Sequence, residues 1–411
     1  MTLVETKPIK DYCLGIYDGP HATPAEADEG PVFLGIKNIT EDGRLDFSEV
    51  RHVSESEFPK WTRRVVPTQG DVVFTYEATL HHYALIPDGF RGCLGRRVAL
   101  VRPDPVQVDS RFLLYYFLSS TWRSVVEANV TSGATVDRIP LERFPSFRAA
   151  LPPLPIQQRV AEILSDYDDL IDNNRRRIQL LENSVRLLFD EWFVKLKHPS
   201  VDRRALLLDG WTTATLRQLC VSDGGIQTGP FGSQLHQSDY SDEGIPLVMP
   251  KNLATLRVSL DSIARIPEFL ANELGRHRMQ RGDIVFGRRG EIGRRAYIGT
   301  RQTGYFCGTG CLRLRADPAR INPRLLFDML GSPLVAGEIA NRAKGSTMAN
   351  LSAGALQSVE IPVPPRALQD QFAEQAEAVS ELIDVLEEQS RKLHLARDLL
   401  LPRLMSGEIE V

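Results

Sequence analysis

The sequence predicts an α+β protein with two tandem-repeated domains. Each is followed by a long helix, the two helices pair as an antiparallel coiled coil, and the halves are related by a pseudo-twofold axis. Three observations lead there. The 411-residue chain repeats itself at a period of 212–214 residues. Each repeat carries short apolar runs separated by turn residues, the signature of strands. Each repeat ends in a long stretch with apolar positions every seven residues.

The repeat consists of five blocks in the same order. Lys37-Asn38 matches Lys251-Asn252, and Gly70-Asp71-Val-Val-Phe matches Gly282-Asp283-Ile-Val-Phe. Arg102-Pro-Asp-Pro105 matches Arg315-Ala-Asp-Pro318. Ser132-Gly133-Ala-Thr135 matches Lys344-Gly345-Ser346-Thr347. Gln157-Gln-Arg-Val-Ala-Glu162 matches Gln369-Asp-Gln-Phe-Ala-Glu374. The blocks divide the chain into a first domain (1–150), a first long helix (151–197), a second domain (198–365) and a second long helix with its tail (366–411).

In the first domain, Val32–Ile36, Asp71–Tyr76 and Val98–Val101 read as strands. Phe112–Leu118 and Trp122–Ala128 read as helices. The second domain repeats the plan with strands at Ile245–Met249, Asp283–Phe286 and Gly310–Leu314, and helices at Pro323–Leu330 and Leu334–Arg342. A twisted, largely antiparallel sheet is expected in each.

The first long helix opens on Pro152-Pro153, with Pro155 suited to a first helical turn. Its seam is Leu164, Ile171, Ile178, Val185 and Trp192, widened by Ile163, Leu170 and Leu188. The second helix repeats Phe372, Val379, Leu386, Leu393 and Leu400, with Leu382, Ile383 and Ala396 alongside. Each runs about 54–60 Å at 1.5 Å per residue, too long to bury its stripe on its own domain. Pairing with the other helix solves this. A parallel pair would stretch the short linker almost fully, so antiparallel pairing is expected. The C-terminus then returns to the first domain. Asn174 falls on the seam, either as a register-setting polar group or as a solvated break beside Arg175–Arg177.

Composition is that of a globular protein, 42% hydrophobic and 25% charged, with a net charge of −4. No apolar run is long enough for a membrane span, and the first residues lack a signal-peptide core. A cytoplasmic protein without a membrane partner is expected. Five cysteines, an odd number, argue against a disulfide framework. Cys307 and Cys311 alone cannot complete a zinc site, so no metal is expected. Charge is uneven. Eight arginines and two acids lie between Arg276 and Arg301, whereas eight acids and four bases lie between Arg366 and Leu401. Such a chain can meet a polyanion through one face only.

The usual catalytic motifs are missing. There is no Walker-type phosphate loop, no strand-linked Gly-x-Gly-x-x-Gly, no Gly-x-Ser-x-Gly and no Asn/Asp-Pro-Pro-Tyr. His81-His82 lacks a third metal ligand. Binding chemistry is better represented. Arg288, Arg289, Glu291 and Arg294 follow a strand on a glycine-rich hairpin. Arginine contacts phosphate and reads guanine, and glutamate accepts from cytosine. A solvated charged hairpin is the alternative. Ser132, Gly133 and Thr135, with Lys344, Gly345, Ser346 and Thr347, form loops in which backbone and hydroxyl groups can approach phosphate. Lys37 and Lys251 suit phosphate, and Asn38 and Asn252 suit an adenine edge, unless they only cap turns. After the shared Gly-Asp blocks the loops diverge, Tyr76 to His82 against Arg288 to Arg294. One scaffold with two different loops is what two readers of different sequences would show.

The chain resembles the specificity subunits of type I restriction–modification systems over essentially its whole length. The most specific stretches are Thr228-Gly229-Pro-Phe231-Gly-Ser233-Gln-Leu-His236 with Asp239-Tyr240 and Gly244-Ile-Pro246, Gly282-Asp-Ile-Val-Phe-Gly-Arg-Arg-Gly290, and Pro152-Pro-Leu-Pro-Ile-Gln-Gln158. Leu187-Leu-Phe-Asp-Glu-Trp-Phe193 and Asp398-Leu-Leu-Leu-Pro-Arg-Leu-Met-Ser-Gly-Glu-Ile409 complete the set. The first domain departs from it, with Tyr17-Asp-Gly-Pro-His21 only faintly like the Thr228 block.

The resemblance implies two target recognition domains, each reading one half of a bipartite, non-palindromic site in double-stranded DNA. It implies that the helices act as a spacer and dock two modification (methyltransferase) subunits, which methylate adenine, and that restriction subunits join them. S-adenosylmethionine, ATP and Mg would be bound by those partners, with no cofactor and no catalytic residue on this chain. It adds Thr228, Gly229, Phe231 and Ser233 to the DNA-binding candidates. The acidic helices are expected to face protein partners. A stand-alone DNA-binding regulator and a two-domain protein-binding scaffold are the competing readings.

Overall fold

A computed structural model describes residues 5–132, 136–198, 210–231, 234–253, 256–260, 262–289, 293–343 and 350–411. The folded chain forms two compact units, Met1–Asn173 with Gln389–Val411, and Asn174–Glu388. Each long helix contributes one half to each unit, so the unit boundary falls within the helices and not at the ends of the repeats.

In the first unit, a four-stranded antiparallel sheet runs in the order Cys13–Asp18, Val98–Pro103, Val72–Thr75, Tyr83–Leu85. A three-stranded sheet runs Arg51–His52, Ala27–Leu34, Gly92–Leu94, its last pair parallel. The second unit repeats both. Ile226–Thr228, Cys311–Arg315, Asp283–Gly287 and Arg295–Tyr297 form the four-stranded sheet. Ala264–Ile266, Ile245–Val248 and Phe306–Cys307 form the other, again with a parallel last pair. The single sheet expected per domain is thus two. The runs around Val32 and Ile245 leave the antiparallel sheet and lie parallel to short strands that carry little sequence signal.

The repeated motifs have a structural cause. Asp71 is buried and takes a bidentate bond from Arg102, 2.8 and 2.7 Å. Asp283 takes the same bond from Arg315, 2.7 Å on each oxygen. The Gly-Asp block and the Arg-x-Asp-Pro block are therefore two ends of one ion pair. A buried carboxylate demands such a partner. After that pair, Asp109 and Asn322 cap the helices Ser110–Leu118 and Pro323–Met329, each accepting a backbone N–H in the first turn.

The glutamines at the start of each long helix latch it to its domain. Gln157 accepts from the Asp109 amide at 3.1 Å and donates to the carbonyls of Gln107 and Pro152. Gln369 accepts from the Asn322 amide at 2.8 Å and donates to the Pro364 carbonyl.

The first long helix spans Leu154–Phe189 and ends in a π turn over Asp190–Val194. The second spans Arg366–Met405, with Pro402 in its last turn. Pairing is antiparallel within each unit. In the first unit, Val160 and Leu164 share a core with Leu404, and further along Asp168 accepts from Arg397 at 2.6 Å. The C-terminal turn thus packs on the first domain's core with Ile9 and Trp122, as the antiparallel arrangement requires. In the second unit, Ile178 packs with Ile383 and Leu386, while Phe189 meets Phe372 edge-on at 5.9 Å.

The seam residues Leu164, Ile171, Ile178, Val185, Phe372 and Leu386 are buried, and Val379, Leu393 and Leu400 are half-buried. Two flanking positions are corrected. Leu170 and Leu382 were expected to widen the stripe but are exposed, 54% and 40%. Asn174 is buried while Arg175–Arg177 are exposed, which excludes the solvated break.

Candidate nucleic-acid interface

The strand that begins at Asp283 pairs in register with Cys311–Arg315 as far as Gly287. Its exit is held by the backbone. The Arg288 amide donates to the Gly310 carbonyl at 2.9 Å, and Arg288 accepts from the Leu351 amide at 2.9 Å. Arg289 forms an isolated antiparallel bridge with Asn350. A third segment joins from the Thr228 block, where the Gly229 amide donates to Cys311 at 3.0 Å.

The first domain holds the same frame. Tyr76 donates to Arg97 at 3.2 Å and accepts from Ile139 at 2.8 Å; Glu77 bridges Arg138; Gly19 donates to Val98 at 2.9 Å. The equivalences are Tyr76 with Arg288, Glu77 with Arg289, Arg97 with Gly310, and Arg138 with Asn350. Both glycines, Gly19 and Gly229, are required sterically, because a Cβ would strike the carbonyl of Gly95 or Gly308.

The side chains on this common frame differ. In the second domain the Arg288 guanidinium lies over the Phe231 ring at 5.2 Å, and Phe231 is half-exposed. Arg288 also donates to Asn350 Oδ1 at 3.4 Å. Its Nε is buried without a partner, and burial together with Arg289 lowers its pKa. Arg289 and Asn350 are exposed. Thr309 donates to the Pro230 carbonyl at 3.1 Å and ties the Thr228 block to the turn before Gly310.

In the first domain, Arg97 pairs with Glu77 at 2.9 Å. Arg97 holds φ 68°, in the left-handed region, where Gly310 has φ 84°. A non-glycine residue there costs about 1 kcal/mol or more. Asp18, beside Gly19, pairs with Arg64 and lies 3.3 Å from His21.

Several other sequence candidates have side chains engaged within the fold. Asn38 is buried; it accepts from Gly35 and donates to the Asp46 and Glu49 carbonyls. Asn252 likewise accepts from Met249 and donates to Ser259. Both amides cap turns and are not open to an adenine edge. Tyr76 enters the core, its hydroxyl buried without a partner and its pKa raised by that burial. His81 and His82 diverge. His82 Nδ1 meets the Ile39 carbonyl at 2.7 Å, while His81 Nε2 lies 3.9 Å from Glu127.

Lys37 and Lys251 stay exposed on their turns, Lys37 paired with Glu49 and Lys251 donating to the Ser262 carbonyl. The second of these turns adjoins the frame, since a Cβ on Gly310 would lie 3.2 Å from Pro250. Thr228 is half-buried, and the carbonyl of Arg294 accepts from Gly287. The Ser132 backbone pairs with Asp137, one residue before Arg138. Gly133, Thr135, Ser233, Glu291, Lys344, Gly345, Ser346 and Thr347 lie outside the described residues.

The run of arginines is not one surface. Arg278 pairs with Glu268, and Arg281 with Glu377 at 2.8 Å. Arg301 lies 4.0 Å from Glu388, and Arg295 stacks on Phe327 at 5.0 Å. Arg257 joins Glu387 of the second helix to Glu182 of the first, at 2.9 and 3.2 Å. Glu182, Glu377, Glu387 and Glu388 therefore face this domain's own arginines, which corrects for these residues the expectation that the acidic helices face protein partners. Asp384 and Glu387 have raised pKa values from burial, so their charges are partly withdrawn from water.

Sequence inspection missed Glu77, Arg97, Arg138 and Asn350. The signal was available, because Glu77 and Arg138 sit 212 residues before Arg289 and Asn350.

The family model for the type I restriction modification DNA specificity domain matches residues 26–183 and 244–394. The type I restriction enzyme MjaIX specificity subunit of Methanocaldococcus jannaschii is 25% identical over 417 residues, covering 98% of this chain and 89% of that one. The MjaVIII specificity subunit of the same organism is 21% identical over 367 residues, covering 87% and 83%. Among solved structures, a type I restriction–modification system S subunit from M. genitalium shares the fold, with a TM-score of 0.56 at 15% identity over 98% of this chain and 97% of that one. Two specificity-domain matches coincide with two copies of one frame carrying different side chains, and the chain belongs to the type I restriction–modification DNA specificity family as a non-catalytic, sequence-recognising subunit.

Proposed function

We propose that this subunit directs a type I complex to a bipartite, non-palindromic DNA site, with each domain reading one half. The observation that carries this is the duplicated backbone frame with unlike side chains: Arg288, Arg289 and Asn350 in one copy, Glu77, Arg97 and Arg138 in the other. Identical frames present side chains to the same part of a duplex, and unlike side chains read unlike bases. Lys37 and Lys251 serve as phosphate contacts.

Two modification subunits dock on the long helices and methylate an adenine in each half-site; restriction subunits complete the nuclease. Exposed apolar side chains support the docking role. They include Leu170, Leu395 and Leu399 in the first unit, and Leu180, Leu187, Leu382 and Val385 in the second. S-adenosylmethionine, ATP and Mg belong to those partners. Among the described residues no helix is long and apolar enough to cross a membrane. Work on chromosomal DNA places the complex in the cytoplasm.

The test is single-molecule sequencing of DNA from cells with and without the gene. Loss of one bipartite methyl-adenine motif is expected on deletion. Unchanged methylation in a host with active partner subunits would refute the proposal.

A further inference from the structure

The frame of the first domain contains a charged pair that no motif signalled, and its meaning rests on the half-site reading above. We infer that the first domain recognises a G·C pair of its half-site through Arg97, held in place by Glu77.

The repeat gives the reason. Arg97 and Gly310 occupy the same place on the frame, the residue whose carbonyl accepts the first amide after the strand. Both adopt positive φ, 68° and 84°. Glycine takes that conformation freely; arginine does not. The fold therefore needs no side chain there, and the second domain has none. An arginine kept in a disfavoured conformation is placed for its guanidinium.

The guanidinium is also preorganised. Nε lies 2.9 Å from Glu77 Oε1, and that nitrogen is buried without a well-angled hydrogen bond. Glu77 is itself fixed by its backbone bridge to Arg138. The counterpart of Glu77 is Arg289, so the charge at this site is reversed between domains. An arginine fork oriented by a carboxylate matches guanine O6 and N7, and the carboxylate is an acceptor for the cytosine amine of the same pair. A bare phosphate contact would not call for an acid beside the arginine.

The test uses the chain assembled with its modification subunits and reads methylation motifs by single-molecule sequencing. Arg97→Gly copies the second domain and relieves the positive φ, so its melting temperature is expected to equal or exceed that of the wild type. One G·C position in one half-site should relax, with discrimination there falling roughly 10- to 100-fold. The other half-site should not change. Arg97→Lys keeps the charge without the fork and should relax the same position. An unchanged motif with Arg97→Gly overturns the inference. So does a uniform loss of methylation that Arg97→Lys restores, which would mark a phosphate contact. A lowered melting temperature for Arg97→Gly also counts against it, by assigning Arg97 to the fold. If the wild-type complex itself shows no bipartite motif, the half-site reading fails first, and separately.

Discussion

Asp283 shows how one residue ties a repeat motif to stability. It is buried, takes two bonds from Arg315, and lies 4.0 Å from Arg313. Removing it strands a guanidinium pair in a poorly hydrated site. Asp283→Ala is expected to cost about 3–5 kcal/mol, read as a lower midpoint in denaturant. A loss below about 1 kcal/mol would show that water replaces the carboxylate. His277 offers a pH test. It is buried beside Arg276 and Arg313, and its pKa is lowered from 6.5 to about 4, burial being the main cause. Its Nε2 accepts from Arg276 at 3.0 Å, which requires the neutral ring. The unfolded chain therefore binds a proton more readily than the fold does. Stability is full above pH 6.5 and falls as pH drops towards 4, by roughly 2–3 kcal/mol. His277→Gln should flatten that slope in pH-dependent denaturation; an unaltered slope would place the titration elsewhere.

At the scale of elements, the long helices were legible because a heptad pattern survives any tertiary context that buries one stripe. Their flanks were less so. Leu170 and Leu382 sit where a wider stripe would bury them, yet they are exposed. Which apolar neighbour turns inward depends on the partner's position. The glutamine latches illustrate the same point. Gln157 and Gln369 were visible as matching letters, but their bonds to the amides of Asp109 and Asn322 were not. Gln369→Ala leaves the Asn322 amide and the Pro364 carbonyl without this partner, and should cost about 1–3 kcal/mol. Faster hydrogen exchange at the Asn322 amide would accompany it. Unaltered exchange there would mean the latch is not holding that helix start.

At the scale of the whole molecule, the duplication predicts separable specificity. Arg288→Ala with Arg289→Ala should change the half-site read by the second domain and leave the first half-site as it is, with roughly 1–3 kcal/mol of discrimination lost per base contact. A uniform weakening on every DNA, with a shallower salt dependence, would instead make them phosphate contacts. The arginine-rich run around them shows where linear charge misleads. Arg281 and Arg301 turn to acids of the second long helix, and Arg295 turns to Phe327. Only part of that run remains for DNA.

The sequence by itself determined the repeat, the order of strands and helices, the antiparallel seam and the family. Each of these is written in spacing, and spacing follows from helical and strand periods that do not depend on distant residues. Tertiary structure alone decided which polar residues are available. Asn38 and Asn252, apt for adenine as letters, are spent on turns. Glu77 and Arg97, unremarkable as letters, meet just beyond the ends of two paired strands. An amide whose oxygen and nitrogen are both engaged at about 3 Å cannot also turn to a base edge. For Asn38 and Asn252 the engaging neighbour lies within the turn each closes, and for Glu77 and Arg97 it lies beyond the end of a paired strand; neither is recorded by a helix or strand period.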